Sequence, residues 1–289
     1  MRRIVSRICR AAALAAAVFA FPAAAQSPDT WANPIKPFKI GEGLYYVGAY
    51  DLAAYLFVSK SGLIVLDGGD KAVGRQVVAN IRTLGFDPAQ VKILLNTHQH
   101  FDHAAGLAEI RKAAPKAKLY ASAADGPVIA AGGKGDPFLK GAQFEYEPVP
   151  VARTLKDGDK VTLGEWTLTA HVTGGHTAGC TTWTFPVTVA GKVRQALVHC
   201  SASVLPGYKL GRTETYPGIT AAYEKSFSTW KSLPCEVFLA SHGAFFDLNG
   251  KRAALDGGKA DAFVDPEGCR AFLASGEARF RSELARQNP

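Results

Sequence analysis

His98-Gln99-His100-Phe101-Asp102-His103 decides the reading of this chain, because four side chains able to ligate a metal stand within six residues. Neutral imidazole and carboxylate suit Zn²⁺, and a run this dense predicts further ligands downstream. Gly175-His176-Thr177 and Ser241-His242-Gly243 supply them, each histidine set among small residues that let a loop carry it to a shared centre. Five of the seven histidines are thereby engaged, and they divide into two sites. His98 and His100, two apart on an extended segment, point the same way and share one ion with His176. Asp102 and His103, one step further along the same loop, join His242 in a second site of mixed nitrogen and oxygen ligands. Two Zn²⁺ per chain would hold one hydroxide between them, since metal binding lowers the pKa of water to about 7. A closed structural zinc normally uses cysteines, and no Cys-x-x-Cys pair is present. His171 and His199 lie within or at the end of strand patterns and are read as structural.

The surroundings of this run place it on a fold. Ile93 to Asn96 is short and apolar enough to be a buried strand, so the metal run begins at the carboxyl end of a strand, where open α/β sheets present their ligands. Upstream, residues 43–47, 54–58 and 63–67 read as strands, and Val73, Val77, Val78, Ile81 and Leu84 recur at helical spacing. A variable middle covers residues 115–148. Strand patterns return at 160–163, 166–171, 181–185 and 196–199, followed by a helix over 219–232 and a strand over 237–240 that ends at His242. Leu273, Phe280 and Leu284 mark an amphipathic terminal helix. Strands followed by helix, given twice, predict an α/β protein in which two sheets face each other with helices outside, a four-layer αβ/βα sandwich.

The amino terminus reads as a secretory signal: Arg2, Arg3, Arg7 and Arg10 precede an apolar run from Ala11 to Phe21, then Ala23-Ala24-Ala25. Cleavage after Ala25 leaves residues 26–289 as a single domain, with 29 basic against 25 acidic side chains instead of the formal +8 of the whole chain. That balance is too mild to imply a nucleic-acid partner, and no second run is long enough to span a membrane. The expected product is periplasmic, not membrane-bound after cleavage, and monomeric. Export also makes its cysteines candidates for disulfides. A Cys235–Cys269 bridge would tether the last helix to the sheet, whereas Cys180 and Cys200 are left unassigned, as buried thiols.

His-x-His-x-Asp-His with the remote His176 and His242 resembles the metallo-β-lactamase superfamily. WANPIKPF (Trp31–Phe38), LYYVG (Leu44–Gly48), LKDGDKV (Leu155–Val161), GHTAGCTTW (Gly175–Trp183) and Pro206-Gly207-Tyr208 resemble the third subclass of the class B metallo-β-lactamases, over nearly all of the mature chain. The resemblance implies the metallo-β-lactamase fold and the same two ligand trios. It gives Asp102 the role of orienting the nucleophile, places Ser201 and Ser203 near the substrate carboxylate, and puts Cys235 and Cys269 where some members carry a disulfide. Ala178 departs from a common proline. Cys200 lies one residue from the place at which other subclasses put a cysteine ligand, but His103 already fills that slot. Relatives that cleave thioesters, lactones or phosphodiesters place a bridging aspartate after the equivalent of His176, and no aspartate occurs between Thr177 and Ser241. The expected function is therefore hydrolysis of penicillins, cephalosporins and carbapenems by a zinc-bound hydroxide. A secreted lactonase or thioesterase on the same scaffold and a non-catalytic periplasmic zinc-binding protein are the alternatives.

Overall fold

The computed structural model describes residues 30–289; the expected signal segment lies outside them. Seven strands form the first sheet in sequential order: β1 (Phe38–Gly41), β2 (Leu44–Tyr46), β3 (Tyr55–Ser59), β4 (Gly62–Leu66), β5 (Val91–Leu95), β6 (Lys118–Ser122) and β7 (Val151–Leu155). The first four pair antiparallel, and β4 to β7 pair parallel. α1 (Lys71–Thr83) makes the crossover from β4 to β5, while α2 (Phe101–Ala104) and α3 (Leu107–Ala113) lie between β5 and β6, and α4 (Gly126–Ala130) follows β6. The second sheet runs β12-β11-β10-β9-β8, built from β8 (Lys160–Leu163), β9 (Trp166–Val172), β10 (Thr181–Val189), β11 (Lys192–His199) and β12 (Val237–Ala240). α5 (Ile219–Ser232), α6 (Leu248–Asp256) and α7 (Pro266–Gln287) complete the chain.

The period-2 alternation of the strands explains the layering. Tyr55 and Phe57 of β3 and Ile64 and Leu66 of β4 point into a core shared with Trp166, Leu168, Trp183 and Phe185 of the second sheet. Leu56, Leu63 and Val65 point the other way and pack on Val73, Val77 and Ile81 of α1 and on Leu107 and Ile110 of α3. Phe57 meets Trp166 and Phe185 edge-on, with centroids 5.0 and 4.9 Å away. The two-sheet sandwich with outer helices is thus the one expected. The variable middle is less irregular than its composition implied, since it contains β6 and α4.

Two backbone features aim the metal run. Gly106, Gly68 and Gly74 meet without side chains: a Cβ on Gly106 would stand 2.0 Å from the Gly68 carbonyl oxygen, and one on Gly74 would stand 2.4 Å from that of Gly106. This lets α1 and the start of α3 close directly on the end of β4. The chain also stops being extended after His100. The His103 and Ala104 amides both donate to the His100 carbonyl, at 3.0 and 2.9 Å, so Asp102 and His103 lie on the helical turn α2 and not on the continuous loop expected from sequence.

Among the described residues both pairs of cysteines are bridged, Cys235–Cys269 as the resemblance implied and Cys180–Cys200, whose state the sequence left open. The second bridge follows from β10 and β11 forming one antiparallel hairpin, with Trp183 opposite Val198, which brings Cys180 and Cys200 to the same end of the ladder.

His199 is structural, as expected, and is 0 % exposed between the rings of Trp230 and Phe272. Neither of its ring nitrogens has a hydrogen-bond partner among the described residues. Burial pulls its pKa down to about 3, so between that value and the ordinary 6.5 the unfolded chain takes up a proton that the folded chain refuses. Stability is then lost progressively as the pH falls below about 6.5, by up to about 5 kcal/mol from this group. His199→Leu is expected to move the acid-unfolding midpoint, followed by tryptophan fluorescence, to lower pH; an unchanged midpoint would contradict this.

Candidate metal centre

All six sequence-predicted ligands converge, although they come from three distant stretches. His98 and His100 leave the end of β5, Asp102 and His103 lie on α2, His176 is on the loop before β10, and His242 follows β12. In the first group one ligand atom each of His98, His100 and His176 lies within 4.8 Å of the others, and the ring centroids are 4.7 to 4.9 Å apart. In the second, His103 Nε2 is 3.1 Å from His242 Nε2, and Asp102 Oδ2 is 3.3 and 3.5 Å from those atoms. Tetrahedral zinc with bonds near 2 Å separates its ligand atoms by roughly 3.3 Å, so the second trio already has the right spread. The groups adjoin through His98 and His103, whose centroids are 4.2 Å apart.

The fit can be tested on protonation and on orphaned atoms. His98 Nε2 is buried with no hydrogen-bond partner among the described residues, a costly arrangement unless something else binds there. Burial and neighbouring histidines push His98 and His100 well below the usual imidazole range, and burial takes His176 down to about 4. These three rings are neutral at pH 7, as ligands must be. Burial would raise the Asp102 carboxyl, but His103 and His242 prevail and hold it well below the carboxylate range. Burial would likewise depress His242, yet its bonds to Asp102 and Asp51 lift it to about 9. Two carboxylates around one imidazole call for a positive charge at that point, and a divalent cation answers that demand. The residues fit zinc.

Each ligand is oriented by a partner behind it, as metal-binding histidines usually are. His98 Nδ1 is 3.1 Å from Thr97 Oγ1, which donates to Asp67 at 2.7 Å. His176 Nδ1 donates to the Ser203 carbonyl at 2.9 Å, and His242 Nδ1 to Asp51 Oδ2 at 2.7 Å. Asp67, held at φ 64° immediately after β4, also lies 3.8 Å from His103 Nδ1. Asp125 ties two ligand segments together: it accepts from the Gln99 amide, from Thr177 Oγ1 and from the Gly179 amide at 3.0, 2.7 and 2.7 Å. Sequence reasoning missed Asp51, Thr97 and Asp125 altogether, and it saw Asp67 only as the end of a strand. A buried acid closing an apolar strand was the one available signal.

The remaining candidates sit close by. Ser201 is 1 % exposed and accepts the Ser203 amide at 3.2 Å, while Ser203 is partly exposed. Tyr208 O–H donates to the His176 carbonyl, and Tyr223 O–H to that of Ser203. Cys200 Sγ is 3.6 Å from His98 Nδ1, but its bridge to Cys180 removes the thiolate that the reading of Cys200 as a ligand required. His171 bonds Thr184 Oγ1 on the neighbouring strand, consistent with its structural assignment.

Residues 48–189 match the model of the metallo-beta-lactamase superfamily. The chain is similar in structure to the FEZ-1 metallo-beta-lactamase of Legionella gormanii, with 42 % identity, a TM-score of 0.85 and coverage of 88 % of this chain and 97 % of that one. BJP-1 of Bradyrhizobium japonicum, a subclass B3 metallo-beta-lactamase, matches at 35 % identity and a TM-score of 0.83, covering 89 % and 97 %. A probable metallo-hydrolase of Burkholderia pseudomallei is 30 % identical over 214 residues, 67 % of this chain and 68 % of that protein. The resemblance seen in the sequence, third subclass included, is borne out.

Proposed function

Since the chain belongs to the metallo-β-lactamase superfamily and is a zinc-dependent hydrolase, we propose that it opens the lactam amide of penicillins, cephalosporins and carbapenems using two zinc ions per chain. The observation that carries this reading is the pair of adjoining trios, His98, His100 and His176 beside Asp102, His103 and His242. The likeness to FEZ-1 over nearly the whole of that chain supports the choice of substrate. So does the lack of any aspartate between Thr177 and Ser241 to serve as a bridging carboxylate.

When bound, the zinc pair supplies Lewis-acid polarisation and water ionised near neutral pH. The protein's own part is orientation. Asp102 stays a carboxylate and accepts a hydrogen bond from the attacking water, aiming it at the lactam carbonyl carbon. Water adds across the C–N bond, its oxygen to the carbon and a proton to the nitrogen. The Tyr208 bond to the His176 carbonyl and the Tyr223 bond to Ser203 hold the His176 ring steady. Ser203 meets the substrate carboxylate, and Ser201 fixes the Ser203 amide from behind.

The reading includes export to the periplasm. The two disulfides support an oxidising compartment, and among the described residues no helix is long and apolar enough to cross a membrane. The proposed partner is a small-molecule β-lactam, taken by a monomer.

The test is turnover of a chromogenic cephalosporin, a lactone and a thioester by one zinc-loaded preparation. The cephalosporin is expected to lead in kcat/KM by about two orders of magnitude. Preference for the lactone or thioester would reassign the substrate, and a zinc-replete chain inert to all three would mark a binding protein.

A further inference from the structure

One buried carboxylate joins the first ligand group to the backbone of Phe138 and Leu139. Asp136, 6 % exposed, lies on the segment between α4 and β7. Its Oδ1 accepts the backbone amides of Phe138 and Leu139 at 2.8 and 2.7 Å. Its Oδ2 accepts Gln99 Nε2 at 2.7 Å and stands 3.6 Å from His100 Nε2, an electrostatic contact just short of a hydrogen bond. The segment it anchors reaches across the site: the Phe138 ring stands edge-on to Tyr208, centroids 4.6 Å apart, and Tyr208 bonds the backbone of His176. Tyr146 O–H returns to the Gln99 carbonyl at 2.6 Å, closing a narrow crevice in which His100, Asp136 and Leu139 face one another.

We propose that Asp136 is a positioning residue that couples zinc occupancy of the first site to the order of the Phe138–Leu139 lip, the stretch that packs on Tyr208 beside His176. The inference rests on the zinc reading of the histidine cluster. With its Nε2 side turned to Asp136, His100 has Nδ1 left for a cation. Binding a cation through Nδ1 makes the Nε2 proton a stronger donor and draws Asp136 toward it. The same carboxylate holds the two lip amides, so ordering is shared between the ligand loop and the lip. By reciprocity, anything that fixes the lip tightens the first site.

Asp136→Asn separates the two halves of this role. Its oxygen can still receive the lip amides, while its amide nitrogen faces two donors, Gln99 Nε2 and His100 Nε2. In the wild-type chain, zinc addition is expected to slow hydrogen exchange at the Phe138 and Leu139 amides. In Asp136→Asn the first-site affinity, measured by competition with a chromophoric chelator, is expected to fall about 10- to 100-fold. Its Co²⁺ absorption spectrum should shift, and the zinc-induced protection of the two amides should be lost. Gln99→Leu, which removes one donor and keeps the carboxylate, should retain that protection. Wild-type amides indifferent to zinc, or an Asp136→Asn chain with wild-type affinity and spectrum, would overturn this inference alone. A wild-type chain that bound no zinc would overturn the metal reading together with it.

Discussion

Asp102→Ala is expected to lower kcat/KM for a cephalosporin by about three orders of magnitude, or roughly 4 kcal/mol of transition-state stabilisation. Two losses combine. Asp102 supplies the only oxygen ligand of the second trio, 3.3 and 3.5 Å from its two histidine partners, and its removal leaves two imidazoles that hold zinc weakly. It is also the carboxylate proposed to orient the attacking water, and its protonation is resisted by His103 and His242. The variant should fold, because Asp102, although buried on the short turn α2, belongs to neither apolar core. Its zinc content should fall toward one ion per chain while the melting temperature of the metal-free form changes little. Steady-state kinetics beside metal analysis reads both. Wild-type turnover in a chain that has lost its second ion would remove Asp102 and that site from the mechanism.

The ligands were legible because metal chemistry concentrates recognisable side chains. Four fall in one short run, and His176 and His242 stand out against the small residues around them. The sandwich was legible because β3 and β4 alternate cleanly between two apolar faces. What sequence hid was long-range pairing. Asp51 is a solitary acid whose partner His242 lies 191 residues away, and Asp136 reaches Gln99 across 37 residues, with no local pattern announcing either. The Cys180–Cys200 bridge was hidden for a different reason. Ala190 and Gly191, at φ 50° and 73°, form a two-residue hairpin turn of the kind that matches strand twist. That turn pairs Val189 with Lys192 and fixes every residue beyond it. With the strands read as ending at 185 and restarting at 196, the register was lost, and with it the proximity of the two cysteines. Likewise the bend at His100 depends on backbone bonds that the run of ligands masks, so α2 read as loop.

Removal of the metal carries the largest effect of all. Burial holds His98, His100 and His176 neutral and Asp102 is held as a carboxylate, while His242 in the metal-free chain keeps a proton to about pH 9. Among the described residues no serine or cysteine in the site is paired with a base as a nucleophile would be: Ser201 receives the Ser203 amide and both nearby cysteines are bridged. The protein therefore has no second route to the lactam, and without zinc its rate should fall to the uncatalysed background. Zinc binding should also stabilise the fold, since it ties β5, α2, the loop before β10 and the end of β12 to one point, by an amount that grows with free zinc concentration.

The most direct test follows one preparation through chelation, dialysis and stepwise return of Zn²⁺, with bound metal and carbapenem hydrolysis measured at each step. The metal-free chain is expected to show no turnover, binding to saturate at two equivalents of zinc, and hydrolysis to recover fully at that point. Hydrolysis that persists after complete metal removal, or saturation at a single equivalent with full activity, would contradict the two-zinc reading.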